Sequence, residues 1–213
     1  MHIPDGFIAP VVYGPAFGAA GVLWAVGLRR LRRLLDPAAV PRLAVATAAA
    51  FALMMVVIPL PGGTTVHVSG VGMIAVLFGV WNAFLALSLV FLLQALMFGD
   101  GGVTALPINA LTMGLGGSLA AVGAFRLLRR WHAAAAVFVA GWVGTVVPAV
   151  LVAWVLGAQP LIAHTADGRP LFFPFGWEVT LPAVILPHLL VGIADGALAV
   201  LAWRVLRPGE GTP

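Results

Sequence analysis

The sequence has no cysteine and no lysine, and only 8% of its 213 residues are charged. Without cysteine the chain cannot form a disulfide, a thiolate metal site or a thiol redox centre. Without lysine it cannot form a Schiff base or a nucleotide-binding P-loop, which places a lysine on the phosphates. We therefore expect no ATP site in this chain, and any energy from ATP hydrolysis must reach it through a partner.

The low fraction of charged residues also indicates that the chain is surrounded by lipid and not by water. Soluble domains carry about 25% charged residues, whereas this chain is 62% hydrophobic with a mean hydropathy of +1.10. Its net charge of +4 comes from 11 basic residues, all arginine, against seven acidic ones. The arginines form short clusters between apolar runs, which is typical of membrane proteins rather than of nucleic-acid-binding surfaces. We predict one integral membrane domain, residues 1–213, surrounded by lipid and without a nucleic-acid partner.

Long apolar runs predict the transmembrane helices, which need about 20 residues each. The clear runs are Ile8–Leu28, Leu43–Leu60, Leu106–Leu127, Ala133–Gly157 and Val179–Val205. A further apolar stretch, His67–Phe98, fits either one long tilted helix or two shorter ones.

Three arginine clusters decide between these alternatives. They are Arg29–Arg42, Arg126–Arg130 and Arg204–Arg207. Arginine-rich loops face the cytoplasm, and all three clusters do so only if His67–Phe98 forms two helices with a break between Gly79 and Asn82. The sequence thus predicts an all-α integral membrane protein with seven transmembrane helices in a bacterial or archaeal cell membrane. Its amino terminus lies outside and its carboxyl terminus in the cytoplasm.

The amino terminus is a candidate metal chelator. The chain begins Met1-His2 without a secretory leader, and Met1 should be retained because its removal requires a small second residue. The Met1 amine, the His2 amide nitrogen and the His2 imidazole can close two adjacent chelate rings on one cation. One position of a square plane then remains open, and such nitrogen sites suit Ni(II) and Cu(II). The alternative is that His2 is only a polar residue at the membrane interface.

His67 is the candidate for the fourth position. It lies in the segment Pro61–Gly70, which is predicted to face the same outer side as Met1. Hydroxyl groups of Thr64, Thr65 and Ser69 can form hydrogen bonds that support the metal ligands. The alternative is a histidine that caps the start of a helix. We therefore predict a metal-binding segment at residues 1–7 and a metal-binding loop at residues 61–70.

Polar residues inside spans are costly and usually functional. Here they are Asn82, Gln94, Asn109, His188 and Asp195. His188 and Asp195 are seven residues apart and share one face of the last helix, where we expect them to orient metal ligands or to gate transport. Asn82 and Gln94 fit helix–helix hydrogen bonds equally well. Asp5 lies beside the chelate, and it would either balance the charge of the dication or cap the first helix.

The remaining two histidines are predicted to be ordinary surface residues. His132 begins a cytoplasmic loop beside arginines, and His164 lies in the outer segment Ala158–Glu178. The aromatic residues of that segment are typical of a membrane interface. Small residues four apart, Ala16/Ala20 and Ala48/Ala52, predict close-packing helix faces. Such faces would either receive a coupling subunit or pack inside the bundle.

Several strings resemble the motifs of one transporter family. They are Met1–Phe7 (Met-His-Ile-Pro-Asp-Gly-Phe), Pro61–Gly70, Gln94–Pro107, Asn109–Gly114 and His188–Gly196. These strings occur in the same order as in the family, and together they extend over essentially the whole chain. The chain resembles the CbiM/NikM family, the cobalt/nickel substrate-binding (S) subunits of energy-coupling factor (ECF) transporters.

The resemblance implies an S-component-like bundle with an additional N-terminal helix. It implies a transported Ni(II), or alternatively Co(II), held by the Met1 amine, the backbone and imidazole nitrogens of His2, and the His67 imidazole. Contacts around these ligands are expected from Asp5, Ser69, Asn109, His188 and Asp195. The implied partners are a transmembrane coupling (T) subunit and two ATPase subunits, and in many such systems a small accessory membrane subunit takes part.

Two details refine the resemblance. Asp195 stands where we would expect glutamate in the Asp-Gly string, a difference of one methylene group that should loosen a contact near the metal. Pro4-Asp5 is nearer to the nickel members, because cobalt members more often carry Met-Glu at these positions.

Two other functions fit parts of the sequence. A self-contained proton-coupled carrier would use His188 and Asp195 as its relay, but the chain shows no convincing inverted repeat of the kind that favours a carrier. An intramembrane metal-dependent hydrolase would need an open metal position for water and a nearby general base. The chain lacks a His-Glu-x-x-His motif, and a filled square plane leaves water no position. We therefore expect a metal-capture subunit and not an enzyme.

Overall fold

A computed structural model describes residues 2–34, 39–60 and 64–206. Its helices are α1 Pro10–Leu34, α2 Val40–Met54, α3 Val71–Phe78, α4 Val80–Phe98, α5 Leu106–Asn109, α6 Ser118–Leu128, α7 Ala133–Gly157, α8 Gln159–Ile162 and α9 Trp177–Leu206. A π-helical segment, Ala110–Gly117, joins α5 to α6 in one continuous run. Two short strands, β1 Ile58–Leu60 and β2 Thr64–Val66, form an antiparallel hairpin.

The expectation of a helical membrane protein is confirmed. Five helical runs are long and apolar enough to cross a membrane: Pro10–Leu31, Val80–Phe98, Leu106–Leu128, Ala133–Ile162 and Trp177–Leu206. Four of them contain most or all of a predicted apolar run. The fifth, Val80–Phe98, is the second half of the stretch His67–Phe98. The predicted run Ala133–Gly157 has the same bounds as α7.

The stretch His67–Phe98 does divide into two helices, as the arginine pattern predicts. The break falls at Gly79, whose φ of +85° ends α3 and is readily adopted only by glycine. The eight residues of α3 make a helix of about 12 Å. Such a helix is too short to cross a hydrocarbon core of about 30 Å by itself.

The predicted helix Leu43–Leu60 is wrong at its carboxyl end. α2 stops at Met54, and the last three predicted residues form β1 instead. The β-branched residues Val56 and Val57 are poor helix formers, and Pro59 disfavours the helical conformation in the residue before it. The connection from α2 to α3 therefore contains a hairpin, and α2 has only 15 residues.

The centre of the bundle is formed by α3, which contacts α4, α6, α7 and α9, and by α7 packed along α9. α1 and α2 lie at the periphery, where Val22 and Val45 are 65% and 62% exposed, as expected for side chains that face lipid. Ala20 is fully buried, so the Ala16/Ala20 pair packs inside the bundle and is not an open docking face. Ala48 and Ala52 are exposed on α2.

The described arginines of all three clusters gather at one end of the bundle, which we call the arginine end. Arg30 lies over the Trp81 ring at 4.8 Å, and Arg42 donates to the Leu206 carbonyl oxygen at 3.4 Å. Arg42 also shares a cavity of about 320 Å³ with Arg129. Arg207 lies outside the described residues. The opposite end, which we call the amino-terminal end, carries residues 2–9, the loop 99–105 and the connection from α8 to α9.

Candidate metal centre

The amino-terminal segment, residues 2–9, inserts both of its ends into the bundle: His2, Ile3, Ile8 and Ala9 are buried, whereas Asp5 and Gly6 between them are exposed. The Asn109 side chain, at the end of α5, pairs with the backbone of Ile3. The Ile3 amide donates to Asn109 Oδ1 at 3.0 Å, and Asn109 Nδ2 donates to the Ile3 carbonyl oxygen at 3.1 Å. This residue, predicted to support the metal ligands, thus holds the backbone immediately after His2.

The loop between α4 and α5 covers the same segment. The Gly102 amide donates to the Ile3 carbonyl oxygen at 2.9 Å. A Cβ atom at Gly102 would lie 2.4 Å from the Asp5 amide nitrogen, so this approach requires glycine. The Asp5 carboxylate accepts from the Val103 amide at 3.1 Å and from the amide and hydroxyl of Thr104. Asp5 therefore fastens the loop to the segment, a role that the sequence did not predict.

These contacts also set the charge of Asp5. Burial raises the pKa of Asp5, but the hydrogen bonds from Thr104 and Val103 outweigh burial and bring its pKa below the ordinary value. The Asp5 side chain is therefore ionised at neutral pH, and it accepts three hydrogen bonds as a carboxylate.

Two more residues hold the segment, and sequence reasoning missed both. The Ala9 amide donates to Gln159 Oε1 at 2.9 Å. The Phe173 amide donates to the Phe7 carbonyl oxygen at 3.2 Å, and the two rings pack with centroids 5.4 Å apart. Phe173 is 2% exposed, so this member of the predicted interfacial loop instead packs against the amino-terminal segment.

His2 and His67 lie side by side at the amino-terminal end. Their ring centroids are 4.8 Å apart, and the ring planes are inclined at 43°. Phe91 packs edge-on against His2 at 5.1 Å. The Nε2 atoms of both histidines are buried and have no hydrogen-bond partner in the described part of the chain. Such nitrogens are costly to bury, and a cation bound to the lone pair of His67 Nε2 would remove that cost at one of them.

The opposite ring nitrogens have partners that fix the tautomers. His67 Nδ1 lies 3.2 Å from the Val68 carbonyl oxygen, and His2 Nδ1 lies 3.1 Å from Asp100 Oδ2. Both partners only accept, so each Nδ1 carries the proton and each Nε2 carries a lone pair. A metal-binding histidine usually donates its second ring nitrogen to a carbonyl or carboxylate in this way.

Asp100 is absent from the predicted site, although its Gly-Asp-Gly-Gly string is one of the family-like motifs. Burial lowers the pKa of His2, and the hydrogen bond to Asp100 offsets only part of that effect. Burial also raises the pKa of Asp100, but the hydrogen bond and charge of His2 bring it below its ordinary value. At neutral pH the pair is a neutral imidazole beside a carboxylate, and imidazole binds metals in its neutral form.

Asp195, in the middle of α9, holds the backbone that follows His67. It accepts from the Ser69 amide at 3.0 and 3.1 Å, the Ser69 hydroxyl at 3.2 Å, the Gly70 amide at 2.7 Å and the Thr145 hydroxyl at 2.6 Å. This carboxylate thereby connects α7 and α9 to the residues between His67 and α3. The side chain makes these contacts although it is one methylene group shorter than the expected glutamate.

His188 is a third buried histidine, and its side chain is fully inaccessible. Its Nδ1 lies 2.6 Å from the Val184 carbonyl oxygen one turn earlier in α9. Its Nε2 is buried without a partner among the described residues. By contrast, His132 and His164 are exposed, as predicted, and His132 accepts from the Ala135 amide at the start of α7.

Part of the predicted site lies outside the described residues, namely Met1 with its amine and residues 61–63 of the metal-binding loop. In the part of the chain that the structure describes, no three histidine or acidic side chains are grouped closely enough to hold an ion. A centre built on His2 and His67 therefore needs nitrogen ligands of another kind.

Fold and site together define a helical integral membrane protein with two adjacent buried imidazoles, one in its amino-terminal segment and one shortly before α3. The family described as the cobalt uptake substrate-specific transmembrane region matches residues 2–210. The chain belongs to this family, whose members are metal transporter components and not enzymes.

Individual relatives agree with this assignment. The chain is 41% identical to the fused nickel transport protein NikMN of Rhodobacter capsulatus over 95% of its own length, but it spans only 61% of that relative. It is 29% identical to the cobalt transport protein CbiM of Acetohalobium arabaticum, over 99% of this chain and 88% of that one. A crystal structure of a truncated transition metal transporter, 35% identical, matches with a TM-score of 0.93 over 97% of this chain and 98% of that chain.

Proposed function

We propose that this chain is the subunit of an ATP-driven ECF importer that captures Ni(II), with Co(II) as the alternative cargo, for uptake into the cytoplasm. The observation that carries the proposal is the pair His2 and His67, whose rings lie 4.8 Å apart at the amino-terminal end. His67 offers a buried Nε2 without a partner in the described chain, and His2 would bind through the Nδ1 that faces Asp100. The relatives named for nickel and cobalt transport support the choice of cargo.

The proposed ligands are four nitrogens in a plane. They are the Met1 amine, the His2 amide nitrogen, the His2 imidazole and the His67 imidazole. Two adjacent chelate rings on Met1-His2 require Nδ1 of His2, because Nε2 points away from its own backbone. His2 Nδ1 faces Asp100 in this structure, so capture would move the ring proton of His2 from Nδ1 to Nε2 and replace the hydrogen bond to Asp100 with a bond from Nδ1 to the metal. His67 would bind through Nε2.

The planar nitrogen set favours nickel. Ni(II) and Cu(II) both suit square-planar nitrogen coordination, and copper binds such ligands more tightly. Selectivity in the cell would therefore depend on metal availability as well as on geometry. A yellow, diamagnetic Ni(II) complex of the purified protein would identify both the metal and the plane.

We also propose seven membrane crossings, with the amino terminus outside and the carboxyl terminus in the cytoplasm. The third crossing would consist of residues 67–70 followed by α3. Two observations support this topology. The arginine clusters meet at one end of the bundle, which is the end that faces the cytoplasm in membrane proteins. His2 and the hairpin lie towards the other end, where a metal would enter from outside.

The proposed partners are a transmembrane coupling subunit and two ATPase subunits. The chain has no lysine and hence no P-loop. Ala48 and Ala52 give α2 an exposed small-residue face on which a coupling helix could pack closely. The relative named as a fused nickel transport protein supports a further component, for which we propose a small accessory membrane subunit. A proton-coupled carrier gains no support, because Asp195 is already occupied by hydrogen bonds from Ser69, Gly70 and Thr145.

The free amine is the part of the site that tests the proposal most directly. Adding three glycines before Met1 should abolish tight Ni(II) binding, because the free amine then lies too far from His2 to close adjacent chelate rings on the same metal. A chain with the same three glycines added after Pro213 is the matched control. Calorimetry with Ni(II) on both proteins decides the question, and equal affinity would refute the proposed chelate.

A further inference from the structure

His188 is a buried imidazole that the proposed four-nitrogen plane does not use. We infer that His188 and His67 form a second, transient position for the same divalent cation, which receives the metal after it leaves the amino-terminal chelate. The inference rests on the proposed function, because it assigns the next step of the same route.

The register between α9 and residues 67–70 places the two histidines near each other. Asp195 holds Ser69 and Gly70, and His188 precedes Asp195 by seven residues, or about 10 Å along the helix. His67 precedes Ser69 by two residues, which span at most about 7 Å. Strand β2, which ends at the residue before His67, also packs against α9, so the chain and the helix run side by side from the same anchor.

The two side chains are prepared for metal binding in the same way. Each Nδ1 is within hydrogen-bond distance of a backbone carbonyl oxygen, Val68 for His67 and Val184 for His188. Each Nε2 therefore carries a lone pair, and both Nε2 atoms are buried without a partner in the described chain. A buried histidine that served packing alone would have no need of an unsatisfied lone pair, because an apolar residue of similar size would avoid that cost.

The neighbouring carboxylate is not part of this second position. Asp195 accepts hydrogen bonds from Ser69, Gly70 and Thr145, so its oxygens are already occupied. Its role is to hold residues 67–70 against α9. A position with two imidazoles has fewer protein ligands than the four-nitrogen chelate and binds more weakly, which suits a step from which the metal must leave again.

The order of events follows from the ligands. His67 is common to both positions, so the cation can keep one bond while it exchanges the amino-terminal nitrogens for His188 Nε2. Neither histidine needs to change its tautomer, because in both rings the metal binds at Nε2 while the proton stays on Nδ1.

The test uses the full chain with its first centre disabled by His2→Ala and one glycine before Met1. Cu(II) is the probe, because it binds imidazole strongly and its paramagnetic resonance spectrum reports nitrogen ligands. We expect one weak site with two histidine nitrogens. Adding His188→Gln should weaken that site at least tenfold, whereas adding His164→Gln, which changes an exposed histidine, should leave it intact.

The outcomes separate the two proposals. No copper site in the disabled chain, or a site unchanged by His188→Gln, would overturn the second position. Failure of the unmodified chain to form a planar nickel complex would instead refute the proposed chelate, and that measurement does not involve His188. If His188→Gln does not fold, as judged by size-exclusion chromatography in detergent, His188→Asn gives the same readout with a smaller side chain.

Discussion

Asn109 and Ile3 pair in both directions, as two strands of a sheet would. Asn109 Oδ1 accepts from the Ile3 amide at 3.0 Å, and Asn109 Nδ2 donates to the Ile3 carbonyl oxygen at 3.1 Å. The residue next to His2 is thereby fixed to the end of α5, and the position of the proposed chelate depends on a side chain that binds no metal itself.

Asn109→Ala should therefore lower the affinity for Ni(II). Residues that orient metal ligands typically contribute about 10–100-fold, and we expect a loss in that range. Asn82→Ala is the matched control, because the Asn82 amide donates to the Phe78 carbonyl oxygen one turn earlier. Calorimetry on both variants checks the prediction, and an equal effect of the two substitutions would contradict it.

Gly102 makes the closest approach to the amino-terminal segment, since its Cβ would meet the Asp5 amide nitrogen at 2.4 Å. Gly102→Ala should displace the segment, lower thermal stability and weaken Ni(II) binding. Overpacking typically costs about 1–3 kcal/mol. Gly123→Ala is the control, because nothing lies within 4 Å of a Cβ at that position. Thermal unfolding in detergent should separate the two variants, and similar melting temperatures would disprove the close approach.

Much of the fold could be predicted because the membrane limits the choices. Apolar length located the five long helices, and the arginine clusters required the break in His67–Phe98 that occurs at Gly79. The end of α2 could not be found from apolarity, because strand β1 is as hydrophobic as a helix. There the β-branched residues and Pro59 were the better signal.

The site was predictable only in part. Histidine has a distinctive chemistry, so His2, His67 and His188 stood out in an apolar sequence. The residues that hold the amino-terminal segment act mostly through backbone atoms, and a sequence does not show which backbone a side chain will meet. Gln159 was missed for that reason, and Asp5 was given other roles. Asp100 instead contacts the His2 side chain, 98 residues away in the sequence, and no spacing pattern indicates such a pair.

Asp195 joins α7, α9 and the backbone after His67. Asp195→Asn keeps the shape but replaces an acceptor oxygen with a donor, so at least one of the Ser69, Gly70 and Thr145 donors loses its partner. An unsatisfied buried group costs about 1–3 kcal/mol. We expect a lower melting temperature together with weaker Ni(II) binding, because His67 loses its support. Thr145→Val removes one donor and leaves the carboxylate, and should have the smaller effect; the reverse order would count against this role.

Asp100 is the carboxylate nearest to His2, and at 3.1 Å from Nδ1 it would remain the closest countercharge to a bound dication. Asp100→Asn should reduce Ni(II) affinity by about 10–100-fold, as expected for a partner of a metal ligand. Asp167→Asn is the control, since Asp167 is exposed and pairs with Arg169. Competition against a chelator of known affinity gives both values. An unchanged affinity in Asp100→Asn would show that the carboxylate is not the countercharge.

The proposed topology can be tested by labelling single introduced cysteines, because the sequence contains no other thiol. The sequence has no cysteine, so a single introduced cysteine is the only thiol in the protein. Asp167 and Trp131 are both exposed, but they lie at opposite ends of the bundle, Asp167 between α8 and α9 and Trp131 between α6 and α7.

In intact cells a membrane-impermeant maleimide should label Asp167→Cys and not Trp131→Cys, because arginine-rich loops such as the one before Trp131 face the cytoplasm. Permeabilised cells should show labelling of both, which confirms that each thiol is reactive. Labelling of Trp131→Cys alone in intact cells would reverse the orientation and place the His2–His67 pair on the cytoplasmic side, where it could not capture a metal from outside.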